Sequence, residues 1–158
     1  MIAVWASGLA AVALFAGLAW YLAPLQPNIL ALQFAFTPLS FARVVHAWPD
    51  EHLQRYLAHL RVDTLLLASY AAFGYLLATR SALFAAQTTA VRHTARWLLP
   101  LAALFDAVEN ALHGWLAAAP RFGVGWMYAV SATSSTLKWL LLLAFGLLMA
   151  RALAGREA

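Results

Sequence analysis

The amino-acid sequence predicts an all-α polytopic membrane protein, an antiparallel four-helix transmembrane bundle with an external interfacial helix at one end. Three observations predict it. Hydrophobic residues fill 65% of the 158 positions and charged residues only 10%, against roughly 45–50% and about 25% in soluble domains. Four apolar stretches are each long enough to cross the hydrocarbon layer as a helix, which takes ~20 residues. Between the first and second of them lies an amphipathic segment punctuated by proline. A soluble fold of this length has too much surface to hide so much apolar side chain. Soluble enzymes, nucleic-acid-binding domains, disordered regulators and secreted disulfide scaffolds are therefore excluded. The absence of cysteine removes thiolate nucleophiles, iron–sulfur clusters and cysteine zinc sites as well. The net charge of +4 would suggest nucleic acid in a soluble chain, but here the basic residues gather at span ends, where they meet lipid headgroups. The expected partners are membrane lipids and not nucleic acid.

The elements follow in order. The first span, about 2–25, carries no charge and ends at Pro24 and Pro27. It lacks the basic flank and short apolar core of a signal peptide. Its stripe of Ala6, Ala10, Ala13 and Gly17 predicts close packing on a neighbouring helix. An external amphipathic segment, about 34–61, comes next. Ile29 to Phe36 reads as a short extended or interfacial piece, and Thr37-Pro38 as the cap and first residue of a helix running to Trp48. Phe41, Val44, Val45 and Trp48 share one face of that helix with Arg43 and His46 elsewhere, the pattern of a helix lying in the headgroup plane. Pro49-Asp50-Glu51 restarts a helix with acids in its first turn. This helix runs to Thr79, and its membrane part is about 62–80. Ser81 to Ala95 reads as a polar connection. The third span is about 96–118, with Trp97 and Trp115 near opposite ends, and the fourth is about 125–150. The whole chain, 1–158, is one membrane domain. Arg80, Arg92, Arg96, Arg151 and Arg156 lie on the side of the termini. Arg43, Arg55, Arg61 and Arg121 lie opposite, so both termini are expected in the cytoplasm, the second and fourth spans running inward.

Some polar residues do not belong in such spans. Asp106, Glu109, Asn110 and His113 fall at i, i+3, i+4 and i+7 in the third span, which places them on one helical face. An ionised side chain near the bilayer centre costs about 2.5–3.5 kcal/mol on insertion scales, so partners are expected. Lys138 lies at similar depth in the fourth span and predicts an ion pair with Asp106 or Glu109. Ser131, Ser134 and Ser135 share its face. In the second helix His52, Tyr56, His59, Asp63 and Tyr70 form another stripe. Tyr70 falls level with Asp106 and Lys138, while Asp63 and His113 both sit about 10 Å further out at 1.5 Å per residue. The stripes align in depth and predict one cavity opening externally. His46, His52 and His93 read as solvated interface residues. Trp139, beside Lys138, is expected to wall the cavity.

Three segments carry a resemblance: L-R-V-D-T-L-L-L-A-S-Y at 60–70, L-P-L-A-A-L-F-D-A-V-E-N at 99–110 and L-K-W at 137–139. Together they resemble a group of small uncharacterised bacterial four-span membrane proteins, with D-x-x-E-N as the most specific part. The resemblance implies a bacterial inner-membrane location and brings no activity with it. A looser likeness is to sterol-isomerase-like proteins of four and five spans, which use acidic residues in a lipid-facing pocket; no motif transfers residues from them.

The function these residues lead one to expect is an intramembrane acidic and basic pocket that binds, and could modify, a lipidic or small apolar molecule. Asp106 and Glu109 would be the acid–base pair, Lys138 would stabilise negative charge, and Asp63 would complete the ionisable set. Tyr70, Asn110, His113, Ser134 and Ser135 would contact the ligand, and Phe34 to Trp48 would form its entrance. The rival from another class is a proton- or cation-coupled transporter working as a homodimer, with the Asp–Glu–His line as relay. A non-catalytic accessory protein, its ion pair serving only to fix helix register, is the third. No cofactor is expected. The alternative is Zn²⁺ or non-haem iron on His59, Asp63, Glu109 and His113, two i, i+4 pairs on neighbouring helices; haem would need facing span histidines that the chain lacks. A Ser–Lys nucleophile from the Ser131–Thr136 run and Lys138 competes with the habit of span hydroxyls to bond the preceding turn.

Overall fold

A computed structural model describes residues 1–155, so Arg156 of the topology argument lies outside the described residues. Every regular element among them is helical. The first helix, α1 (Ile2–Leu22), ends at Ala23, just before Pro24. Its packing face is Val4, Ala11, Leu18 and Leu22, one stripe at heptad-like spacing, and not the small-residue stripe expected from the sequence. Ala6, Ala10, Ala13 and Gly17 are exposed. The reason lies in the partner. A Cβ on Gly8 would sit 2.9 Å from the Phe73 ring, so the close approach is made where α4 presents an aromatic side chain.

Asn28 caps a short helix, α2 (Ile29–Gln33), by accepting from the Ala31 amide at 3.3 Å, where the sequence left an extended or interfacial piece. Then comes α3 (Pro38–Ala47), opened by a reciprocal capping box between Thr37 and Ser40, which satisfies amides that have no partner inside the helix. The apolar face foreseen for α3 exists, but it faces protein and not headgroups. Phe41, Val44, Val45 and Trp48 are buried against Leu22, Tyr56, Leu116, Ala117 and Tyr128, while Arg43 and His46 are exposed. The Trp48 indole donates to the Pro27 carbonyl at 2.8 Å and ties the cap to the end of α1. What the cap turns outward is Leu30, Phe34, Phe36 and Leu39.

The long helix α4 (Asp50–Arg80) has acids in its first turn and Arg80 in its last, both favourable to the helix dipole. Leu83 and Phe84 of the following connection are buried with Ala95 and Ala152 and seal that end. Helix α5 (Thr89–Ala118) begins inside the stretch expected to be a connection, because the Thr88 hydroxyl caps it by accepting from the Val91 amide. A 3-10 turn, Phe122–Val124, leads into α6 (Gly125–Ala154), which continues past Ala150 through Arg151. Three segments are long and apolar enough to cross a membrane: Ile2–Leu22, Asp50–Arg80 and Phe122–Ala154. They mark the chain as a membrane protein.

The close contacts run in chain order, α1 on α4, α4 on α5 and α5 on α6, with α3 seated over the 3-10 turn and both α2 and α3 against α6. The tightest of these seams is at Gly74, where a Cβ would lie 2.6 Å from Cβ of Leu99. The substitution Gly74→Ala is expected to force α4 and α5 apart and to cost about 1–3 kcal/mol, the range for overpacking. Gly146→Ala, where a Cβ meets nothing within 4 Å, is expected to be neutral or stabilising. Thermal unfolding of both variants in one detergent checks the contrast.

Candidate functional site

The centre of the site is one ammonium group. Lys138 projects from α6 and is only 4% exposed. Its Nζ lies 2.9 Å from Asp106 Oδ1 and donates a hydrogen bond to it. The same nitrogen stands 2.6 Å from Glu109 Oε2, closer but off the hydrogen-bond direction. Both ion pairs that the sequence offered as alternatives are therefore present at once. The spacing of three along α5 puts the two carboxylates on adjacent turns, and Lys138 enters between them.

On the α4 side, the Tyr70 hydroxyl donates to Asp106 Oδ2 at 3.0 Å, so Asp106 is held by a cation and a phenol from different helices. Toward the capped end, His113 Nδ1 is 3.7 Å from Glu109 Oε1 and shares a 2.6 Å hydrogen bond with the Tyr56 hydroxyl. A line of polar side chains thus runs Tyr70–Asp106–Lys138–Glu109–His113–Tyr56 through the packed helices. Phe41 of the cap lies against it, its ring 5.4 Å from His113 and 5.1 Å from Tyr128.

Other expected residues sit beside this line. Asp63 is half-buried and accepts from Asn110 Nδ2 at 2.6 Å, forming its own α4–α5 pair away from Lys138. The Ser135 hydroxyl is turned to the Ser131 carbonyl at 3.2 Å. Ser134 is buried on the same side. The partners of Lys138 are carboxylates, so no Ser–Lys arrangement is formed. Among the described residues, no three His, Asp or Glu side chains gather as a metal ligand set. His59, Asp63, Glu109 and His113 are divided among separate partners: His59 Nδ1 donates to the backbone carbonyl of Tyr56, Asp63 meets Asn110, and Glu109 meets Lys138.

The interior of the line is closed. The open space lies next to it, in a groove of about 430 Å³ between α1 and α4, lined by Ala13, Leu14, Gly17, Leu18, Tyr21, Ala58, His59 and Val62. Tyr56 links the two regions, because its carbonyl holds His59 at the groove while its hydroxyl holds His113 in the line. That role was not read from the sequence, where Tyr56 was one member of a stripe. Gln33 was missed as well: its side-chain carbonyl accepts from the Trp139 indole at 3.1 Å and fastens the cap to α6 beside Lys138. A lone amide within Ile29–Phe36 was the available signal.

No family model matches the chain, and no curated protein and no solved structure is similar to it. The likeness to bacterial four-span proteins therefore stands on its three segments alone.

Removing the ammonium while keeping both acids leaves buried carboxylates uncompensated, which typically costs about 3–5 kcal/mol. Lys138→Met is expected to lose that much stability. Adding Asp106→Asn and Glu109→Gln to it is expected to restore most of the loss. Chemical unfolding of the single and triple variants in detergent decides this.

Proposed function

We propose that this chain is a four-span membrane protein that binds a lipidic or small apolar molecule in the α1–α4 groove, with the buried acid–base line standing behind the groove floor and coupled to it through Tyr56. Helix α5 is the fourth span. Its Asp106 and Glu109 weigh against it in an apolar count, yet both are turned inward onto Lys138 and away from lipid. Both termini lie on the cytoplasmic face of a bacterial inner membrane, and the α2–α3 cap lies on the outer face. There Phe34, Phe36 and Leu39 meet the headgroup layer.

The observation that carries the reading is the double attachment of Tyr56. An intramembrane ionisable group is a functional site by default, and this one is connected through a single residue, Tyr56, to the floor of the α1–α4 groove. Glu109 and Asp106 are the proton-exchanging groups, Lys138 stabilises negative charge between them, and Tyr70 and His113 hold the two ends.

The second reading, a proton-coupled transporter, draws on the same line of titratable side chains, whose one gap is the 3.7 Å between Glu109 and His113. It requires flux, and a homodimer large enough to carry it. The two readings separate in one preparation. Asp106→Asn and Glu109→Gln are expected to change the lipid species that copurify with the chain, as read by native mass spectrometry, without flux in proteoliposomes. Flux that collapses with the pH gradient would support the transporter instead. Unchanged lipid occupancy together with reduced thermal stability alone would reduce the cluster to a register pin and defeat the proposal.

A further inference from the structure

The groove has a mouth and a floor of different character. A second open volume, about 440 Å³ and lined by Trp20, Tyr21, Ala23, Pro24 and Arg55, meets the first at Tyr21. The two follow α1 from Pro24 down to Ala13, and the part between Tyr21 and Ala13 spans about 12 Å at 1.5 Å per residue. The walls of that part are largely apolar, with Leu14, Leu18 and Val62 beside the small Ala13, Gly17 and Ala58. A Cβ on Gly17 would touch nothing within 4 Å, so this space is left open by the absence of a side chain. The polar group on the floor is His59, 4% exposed, and the groove is where that remaining surface opens.

The hydrogen bond on the other side of the ring fixes what His59 offers. A backbone carbonyl can only accept, so Nδ1 carries the proton that goes to Tyr56. The ring is buried and no carboxylate is bonded to it, so it is kept neutral and its Nε2 is left as an acceptor, for which no protein donor is present among the described residues. A ligand completing this site must bring a hydrogen-bond donor. An anionic head brings none, and the nearest cation is already turned elsewhere: Arg55 contacts Glu51 through one terminal nitrogen at 3.4 Å and donates to the Tyr21 carbonyl through the other at 3.3 Å. Asp63, one turn beyond His59 on the same helix, adds a carboxylate that disfavours a second negative charge nearby.

We infer that the groove takes a long-chain lipidic alcohol, with its chain along Ala13, Gly17 and Val62 and its hydroxyl donating to His59 Nε2. This rests on the reading above that the groove holds a lipidic molecule, and narrows it to a head that is neutral and a donor.

The test uses the full chain in phosphatidylcholine nanodiscs with three photoactivatable probes of equal chain length: a diazirine-bearing hexadecanol, its O-methyl ether and the corresponding carboxylate. Labelled peptides are mapped by mass spectrometry. The alcohol is expected to label the Ala13–Tyr21 and Ala58–Val62 stretches about tenfold more than the ether, the ratio for one hydrogen bond of ordinary strength. His59→Phe is expected to bring alcohol and ether to the same level. Gly17→Leu, which fills open space and strains nothing, is expected to suppress both. Equal labelling by alcohol and ether in the unmodified chain, or an alcohol preference that survives His59→Phe, overturns the hydroxyl assignment and leaves the groove standing as a lipid site. Preference for the carboxylate overturns it in favour of an anionic head. Failure of all three probes to label the groove removes the underlying reading together with the inference.

Discussion

One cation set against two carboxylates organises this protein. Lys138 has Asp106 and Glu109 on either side, and Tyr70 completes Asp106 from α4. Through these contacts α4, α5 and α6 meet at one depth and in one register. Ionised groups taken out of water are expensive, and their mutual attraction offsets the cost only where geometry is good. Packed apolar side chains would hold three helices together at less risk, because van der Waals contact is the ordinary adhesive between spans. A charged centre retained in such a place fits a role that uses the charge. It also draws both acidic side chains of α5 inward, off the outer surface of the packed helices.

Around this centre the molecule keeps two kinds of space apart. The polar line is filled by side chains and closed by the cap, with Phe41 on His113 and Trp48 on Tyr56 at a ring distance of 5.0 Å. The groove, in contrast, is bordered by Ala13 and Gly17 together with Leu14, Leu18 and Tyr21 of the first helix. Tyr56 belongs to both, through its backbone on one side and its hydroxyl on the other. A change at the groove floor is thereby mechanically close to Glu109 although the two share no open volume.

The polar architecture was legible in the sequence because polar residues in an apolar chain are rare and their spacing carries information. The i, i+3, i+7 series of Asp106, Glu109 and His113 gave one face, and equal depth predicted the meeting of Tyr70, Asp106 and Lys138. The apolar architecture was much less legible. In α1 nearly every residue is hydrophobic, so a face toward protein and a face toward lipid look alike, and Ala6, Ala10, Ala13 and Gly17 were assigned to the wrong one. The same ambiguity affected α3, whose apolar face suits a headgroup layer as well as a protein interior. The start of α5 was set too late because a polar run was taken for a loop, although Thr88 offered a cap. The groove could not be seen at all, since it depends on how α1 leans against α4.

The chain-order packing of the helices has a bearing on how the molecule is made. Each long helix finds its partner in the one completed just before it, so the topology is local and its loop-closure cost small. A ribosome that finishes α5 has, however, made two carboxylates before their counter-ion exists. Lys138 follows only after the short 3-10 turn and the first half of α6. Until then Asp106 depends on the Tyr70 hydroxyl of α4, already in place. The brevity of the α5–α6 connection therefore limits how long the two acids must wait for Lys138.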